Sequence, residues 1–481
     1  MSTLPLAQPT GAATSPPVLV NDRREIFGWL AYDWAYHAFT TTVATALLGP
    51  YLTSLAQLAV GDNGVVMRLG PFGNVTATSF FPFCLSLSVF LQVFFLPVLG
   101  AIADYTNLKK RLLALFSFIS IAAVCLLFFI TGNRYLLGGL LFVIANLSFG
   151  AAVVFYNAFL NDICTEDQRD KVSSRGYAAG YIGGGLLLAL NLGLVLGAKT
   201  LGISTGLAVR LSLLSAGVWW LAFALFSFAR LKTREPAEPL PPGTNYLSVG
   251  FKGLWTTFRE LRRLPQTLRY LGGYMLFNDG IQTVISLAPV FLAQELFTSQ
   301  QRLDGTSQSF VIQVLLLVQF VAFFGALLFE RIAYRIGTKW AIVLSLVIWS
   351  GIIVYAYGFL HTTNQALAMA AVIAVVLGGS QALSRSLFSR MIPAGRESAY
   401  YGIYEISEGG TSWIGPLIFG IVVGITGSYR QAILYLIVLL VAGMAILIMT
   451  NTDQAVHDAG NRLPEEAAAD PRLPVELGSP A

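Results

Sequence analysis

The chain has 481 residues, of which 55% are hydrophobic and 11% charged, with a mean hydropathy of +0.68. A soluble protein of this length carries about 25% charged residues. An ordinary globular enzyme, a nucleic-acid binder and a disordered scaffold are thereby excluded, and a lipid bilayer is the solvent that fits. The formal charge of +5, from 30 Lys and Arg against 25 Asp and Glu, is small. In a membrane protein its placement matters more than its size.

Residues 1–25 are rich in Pro, Ala and Thr and hold no apolar core of signal-peptide length, which predicts a disordered cytoplasmic tail. Twelve apolar runs follow, near 27–49, 79–103, 112–131, 135–160, 174–197, 207–229, 269–296, 309–330, 340–360, 365–389, 400–425 and 430–450. Each approaches the roughly 20 residues that a helix needs to cross the hydrocarbon. They are long, continuous and not alternating, which predicts an all-α integral membrane protein and not a barrel. With both termini in the cytoplasm, 24 of the 30 Lys and Arg fall on the cytoplasmic side and 6 on the other. That bias fixes the predicted orientation.

The segment 230–268 divides the chain into six runs plus six, giving predicted bundles at 26–229 and 269–450. It opens as a Pro-rich linker. It then places Leu247, Phe251, Leu254, Phe258 and Leu261 at steps of three and four, with Lys252, Arg259, Arg262 and Arg263 between them. That pattern is a basic amphipathic helix, suited either to the inner headgroup surface or to packing on the bundle. Residues 451–481 are polar and rich in Ala, Pro and acid, and read as a second disordered cytoplasmic tail. The three cysteines, Cys84, Cys125 and Cys164, show no metal or disulfide spacing. No nucleotide-binding loop and no zinc or nucleophile motif occurs, so neither cofactor nor metal is predicted.

The two halves echo each other. GAIADYTNLKKR (Gly100 to Arg111) recurs as ERIAYRIGTKW (Glu330 to Trp340), aligning Asp104 with Tyr334, Asn107 with Gly337 and Lys109 with Lys339 at an offset of 230. FLNDI (Phe159 to Ile163) recurs as FSRMI (Phe388 to Ile392) at 229. Two parallel six-helix repeats imply a pseudo-twofold axis along the membrane normal, with a cavity between the halves.

The loop GAIADYTNLKKR resembles the signature between spans two and three of the major facilitator superfamily: Gly100, Asp104, Lys109 and Lys110 match, and Asn107 replaces the second Gly, a change that αL tolerance in Asn softens. The second copy has lost both its Gly (Glu330) and its Asp (Tyr334). FGWLAYDWAYHAFTTTV, YNAFLNDI, GYIGGGLLLALNL, LFNDGIQTVI and SRSLFSRMIP…GIYEISEGGTSWIGPLIFG together resemble the UMF-type (unknown major facilitator) branch, related to the autophagy-linked vacuolar amino-acid effluxers. The resemblance covers most of residues 27–450. One departure is local: that branch carries small or amide residues after DWA, where this chain has Tyr36 and His37.

Acids deep in a span cost roughly 2.5–3.5 kcal/mol each on insertion scales and need a reason to be there. Asp33, Asp279, Glu405 and Glu408 are the four. The resemblance implies that spans one, four, seven and ten line the cavity, so that Asp33 and Asp279 face each other across it. Asp33 and His37 share a helix face about 6 Å apart and make a candidate proton site. Asn278, Asp279 and Gln282, followed by the helix-loosening Gly280, suit a zwitterionic or hydroxylated solute. Asn157 and Asn161 share a face at the end of span four, and Asp162 lies at its cytoplasmic edge.

Gly100, Asp104, Lys109, Arg111, Arg385, Glu405 and Glu408 are gating candidates. Arg385 is the predicted counter-ion of the two glutamates. The resemblance implies that Asp104 latches onto the start of span eleven, where the helix N-terminus favours a carboxylate. Gly176, Gly180 and Gly184, and Gly420 and Gly424, recur at steps of four and predict close helix packing. The reading that emerges is a monomeric secondary transporter of a small polar solute, an amino acid or peptide foremost, working by alternating access with a proton. Other cargoes such as a sugar, drug or lysolipid, or a non-transporting receptor on the same fold, are the alternatives. Its partners are the solute, the lipid bilayer and the proton, and it resides in a bacterial inner or a fungal vacuolar membrane.

Overall fold

A computed structural model describes residues 20–61, 64–68, 74–77, 80–104, 106–234, 246–298, 306–409, 414–415, 418–419, 422, 426, 428–463 and 466. Most of the expected tails and Pro-rich linker, together with Pro416, Gly420 and Gly424, lie outside the described residues, as does the side chain of Glu408.

Among the described residues, ten helices are long and apolar enough to cross a membrane. The first begins as α1 (Arg23–Ala38), where the Asp22 side chain accepts the Arg24 amide as N-cap. It continues through a π-helical stretch, Phe39–Leu47, into α2 (Leu48–Val60). The cause of the wider turn lies in a run of threonines. Thr40 and Thr41 both donate their hydroxyls to His37 O (3.1 and 2.7 Å), and Thr45 donates to Thr40 O at 2.7 Å. These hydroxyls compete with the amides that would close ordinary turns.

Next come α3 (Phe80–Asp104), α4 (Lys109–Leu126), α5 (Tyr135–Ile163), α6 (Arg169–Leu196) and α7 (Thr205–Arg230). The amphipathic segment forms α8 (Tyr246–Leu261). The second set is α9 (Pro265–Leu296), α10 (Thr306–Ile336), α11 (Thr338–Gly358), α12 (Thr363–Arg390), α13 (Glu397–Gly409), α14 (Tyr429–Tyr435) and α15 (Ile437–Met449). The run at 269–296 lies on α9, and the run at 400–425 begins on α13.

Two features depart from the sequence reading. A short antiparallel hairpin, β1 (Val65–Arg68) and β2 (Asn74–Thr76), sits between the first two spans. Residues from Asn451 do not start directly as a tail. Asn451 caps α16 (Thr452–Asp458), Val456 is buried, and the Asn461 amide donates to Arg390 O and Ile392 O at 2.7 Å each. This short helix packs on α9, and Asn461, just beyond it, covers the end of α12.

The first six spans pack among themselves chiefly through α1 on α6 and α7 and α4 on α5. The helices from α9 onward pack through α10 on α12 and α9 on α15. The sets meet along α3–α13, α6–α10, α6–α12 and α5–α13. The start of the linker is strapped back to the first residues of α1, at the end here termed the basic end. Arg234 pairs with both oxygens of buried Glu25 (2.7 and 2.9 Å), and Lys232 Nζ reaches Asp22 at 2.6 Å. The Lys232 hydrogen bond holds the Asp22 carboxyl below its usual range.

Candidate functional site

Asp33 stands ten residues into α1, roughly 15 Å along the helix axis from Arg23. Its side chain is fully buried, so it does not look into the open cleft that the sequence reading anticipates. Its Oδ2 accepts the Tyr156 hydroxyl at 2.5 Å and pairs with Arg385 Nη2 at 3.5 Å. Tyr156 is on α5 and Arg385 on α12, so this carboxylate joins the two sets of helices. Among the described residues none donates a hydrogen bond to Asp33 Oδ1, and His37 Nδ1 is 3.7 Å from it.

Arg385 is 1% exposed and spends its remaining donors on the first six spans. Its Nε donates to Ser173 Oγ and its Nη2 to Ser173 O, both at 2.9 Å, and its Nη1 donates to Asn157 Oδ1 at 3.3 Å. Asn157 Nδ2 then donates to Glu405 Oε1 at 2.8 Å. The guanidinium lies 4.8 Å from the Trp29 ring and 4.3 Å from the Tyr177 ring. Trp29 and Tyr156 stack at 4.5 Å. A buried ion pair is tolerable when satisfied by such hydrogen bonds and aromatic faces.

Glycine makes this approach possible. A Cβ on Gly176 would stand 2.8 Å from Trp29 Cζ3 and 3.0 Å from Arg385 Nη2, and closer still to Asp33 Oδ2. A Cβ on Gly180 would press into the His37 ring. The glycine spacing on α6 is therefore close packing, as expected, and what it packs against is the charged centre. Gly176→Ala is expected to displace the Asp33 carboxylate and cut function at least tenfold while expression persists. Activity near that of the parent in the liposome assay below would refute this account of Gly176.

Two seals close the basic end. In the first, Asp104 Oδ1 and Oδ2 accept the Ser398 and Ala399 amides at 2.9 and 2.8 Å, at the first turn of α13. Gly100 lies against the Ser398 carbonyl, too close for any Cβ. Lys109 pairs with Asp162 at 2.9 Å. In the second, Asp170, on the first turn of α6, accepts the Thr338 hydroxyl at 2.6 Å and forms an ion pair with Arg390 at 2.8 Å. Arg169 Nη1 and Asn161 Nδ2 both donate to Ser389 O, at 3.0 and 2.9 Å. The lost acid of the second loop copy, Tyr334, is 93% exposed. Asp170, from the opposite side of the junction, supplies a carboxylate instead.

Several expectations need correction. Among the described side chains Arg385 forms its ion pair with Asp33 and not with Glu405, which Asn157 links to it by hydrogen bonds; Glu408, the other expected partner, lies outside the described side chains. His37 donates Nδ1–H to the main-chain oxygen of Asp33 at 2.9 Å, and the same nitrogen stands 3.7 Å from Asp33 Oδ1, within ion-pair reach of the carboxylate. Asp279 is 1% exposed, and its Oδ2 accepts the Gly415 amide at 2.8 Å, which ties α9 to its own half. Its Oδ1 is buried without a hydrogen bond. Asn278 is buried beside it, while Gln282 is half-buried. Arg111 is exposed. Asn107 is not in the left-handed region; that turn occurs only in the second copy, at Gly337 (φ 85°).

The sequence reading missed Tyr156, Ser173, Trp29, Asp170, Thr338 and Arg390. One signal was available. Tyr156 and Arg385 are 229 positions apart, the offset already set by Phe159 and Phe388, so repeat-equivalent residues converge on one carboxylate.

The family described as "Vacuole effluxer Atg22 like" matches residues 21–460. The chain belongs to that family. It is similar to the uncharacterized MFS-type transporter YxiO of Bacillus subtilis, at 29% identity over 91% of this chain and 97% of that protein. It is also similar to autophagy-related protein 22 of Yarrowia lipolytica, at 29% identity over 81% of this chain and 78% of that protein. Solved major facilitator structures share the fold. The human organic anion transporter MFSD10 superposes with a TM-score of 0.62 at 16% identity, over 90% of this chain and 100% of that one. The Escherichia coli fucose:proton symporter FucP gives 0.62 at 12%, over 89% and 98%. This Atg22-like chain is thus an all-α, multi-pass membrane transporter of major facilitator architecture and not an enzyme.

Proposed function

We propose that this protein is a secondary transporter of a small zwitterion, an amino acid or short peptide, which works by alternating access and couples to protons. One observation carries the reading: a fully buried Asp33–Arg385 pair spans the two halves, with Asp33 Oδ1 left without a hydrogen bond. A zwitterion carries the same two charges. Its ammonium matches the unfilled carboxylate oxygen, its carboxylate matches the guanidinium, and the rings of Trp29, Tyr156 and Tyr177 suit the apolar remainder. Solute that competes for both charges loosens the tie between the halves, which gives binding a differential effect on two states. Protonation of Asp33 weakens the same tie, and this is the proposed coupling step. The Lys and Arg bias supports placing the basic end in the cytoplasm.

The test is uptake into liposomes holding the purified chain, screened with amino acids, sugars and lysolipids with and without a pH gradient. Uptake of one or more amino acids or short peptides, accelerated at least tenfold by the gradient, is the expected result. Uptake of sugar or lysolipid alone refutes the cargo, and uptake indifferent to the gradient refutes the coupling.

A further inference from the structure

Helix α8 has an inward and an outward side. Thr257 and Leu261 are buried. The Thr257 hydroxyl accepts Arg396 Nη2 at 2.8 Å, and Glu260 pairs with Arg396 Nη1 at 3.5 Å. The helix packs on α3 and α13, the two helices that the Asp104 seal joins. Arg396 itself precedes Ser398, whose amide Asp104 binds, by two residues.

The outward side is different. Trp255 is 67% and Phe258 46% exposed, and Lys252, Arg259, Arg262 and Arg263 are exposed as well. At 100° per residue Lys252, Trp255, Phe258 and Arg259 occupy an arc of about 120°, and Arg262 and Arg263 follow in the turn just past the end of the helix. No acid lies in that arc, because Glu260, the one acid between Tyr246 and Arg263, is turned toward Arg396. Water rewards neither ring. An anionic headgroup surface rewards both kinds of group, since aromatic rings seat at the acyl boundary while cations meet phosphates. A neutral partner would leave four cations unanswered, and a purely acidic aqueous partner would leave the two rings unanswered.

We infer that α8 docks on anionic phospholipid in the leaflet at the basic end, and thereby braces the α3–α13 seal against the membrane surface. This does not depend on what solute is carried. The full chain is reconstituted in phosphatidylcholine nanodiscs that hold an equal small fraction of brominated phosphatidylcholine or brominated phosphatidylglycerol. The Trp255 contribution is the difference between the parent and Trp255→Phe. Bromine quenching of that contribution is expected to be several-fold stronger with the anionic lipid. The quadruple change K252Q/R259Q/R262Q/R263Q, or raised salt, is expected to bring the two lipids level. The quadruple variant alters exposed groups only, and an unchanged melting temperature confirms that it folds. Absence of quenching by either lipid overturns the proposal, because the face then meets water or protein. Equal quenching in the parent also overturns it, because the contact then ignores charge.

Discussion

Arg385→Gln is expected to abolish transport and lower the melting temperature, whereas D33N combined with R385Q restores the melting temperature and leaves transport absent. The single change leaves the Asp33 carboxylate fully buried opposite a neutral amide. Breaking one partner of a buried pair costs roughly 3–5 kcal/mol, because the surviving charge is uncompensated. Removing both charges removes that penalty, and Asn and Gln retain part of the hydrogen bonding to Tyr156 and Ser173. Transport does not return, since a zwitterion finds neither charge. Thermal unfolding and liposome uptake, measured on the same preparations, separate the two effects. A double variant that transports at the parental rate would remove the ion pair from the mechanism. A single variant as stable as the parent would show that the pair is not as dry as its burial indicates.

The second large effect concerns the first seal. Asp104→Ala is expected to move the protein toward the state open at the basic end by roughly a hundredfold. Asp104 accepts two main-chain amides, and a hydrogen bond to a charged group contributes about 1.5–3 kcal/mol. The sum is diluted by water that enters once the carboxylate is gone, and a net of about 3 kcal/mol corresponds to a factor of roughly 150. Spin labels at Asn107→Cys and Ala394→Cys, both exposed positions, report the separation across this seal in a background free of the three native cysteines. A longer distance population should dominate in the Asp104 variant. An unchanged distribution would mean that the second seal alone holds the end closed.

Much of this architecture was legible. Ten of the twelve expected runs are, among the described residues, helices long and apolar enough to cross a membrane, and the Asp104 contact with the start of α13 agrees with what the loop signature implies. The partners within the centre were not legible. Arg385 is assigned to the nearest acids along the sequence because helix faces in separate bundles have no sequence register with one another. Only packing decides that it turns to Asp33, with Gly176 leaving room. The i,i+4 spacing brings His37 within reach of the Asp33 carboxylate, but it is silent about which Asp33 oxygen takes the hydrogen bond. The π-helical stretch arises from hydroxyl competition by Thr40, Thr41 and Thr45, which no hydrophobic period reveals.

The two closures differ in material. One rests on peptide amides of Ser398 and Ala399, which survive almost any exchange of those side chains except Pro. The other rests more on side chains at both ends, Asp170 with Thr338 and Arg390, any one of which a single substitution deletes, beside the Arg169 and Asn161 bonds to Ser389 O. Drift in the gene therefore erodes one side of the pseudosymmetric junction faster than the other. Variants arising by chance should leak first where α6 meets α11 and α12, beside the loop copy that carries Glu330 and Tyr334 in place of the Gly and Asp of the first copy.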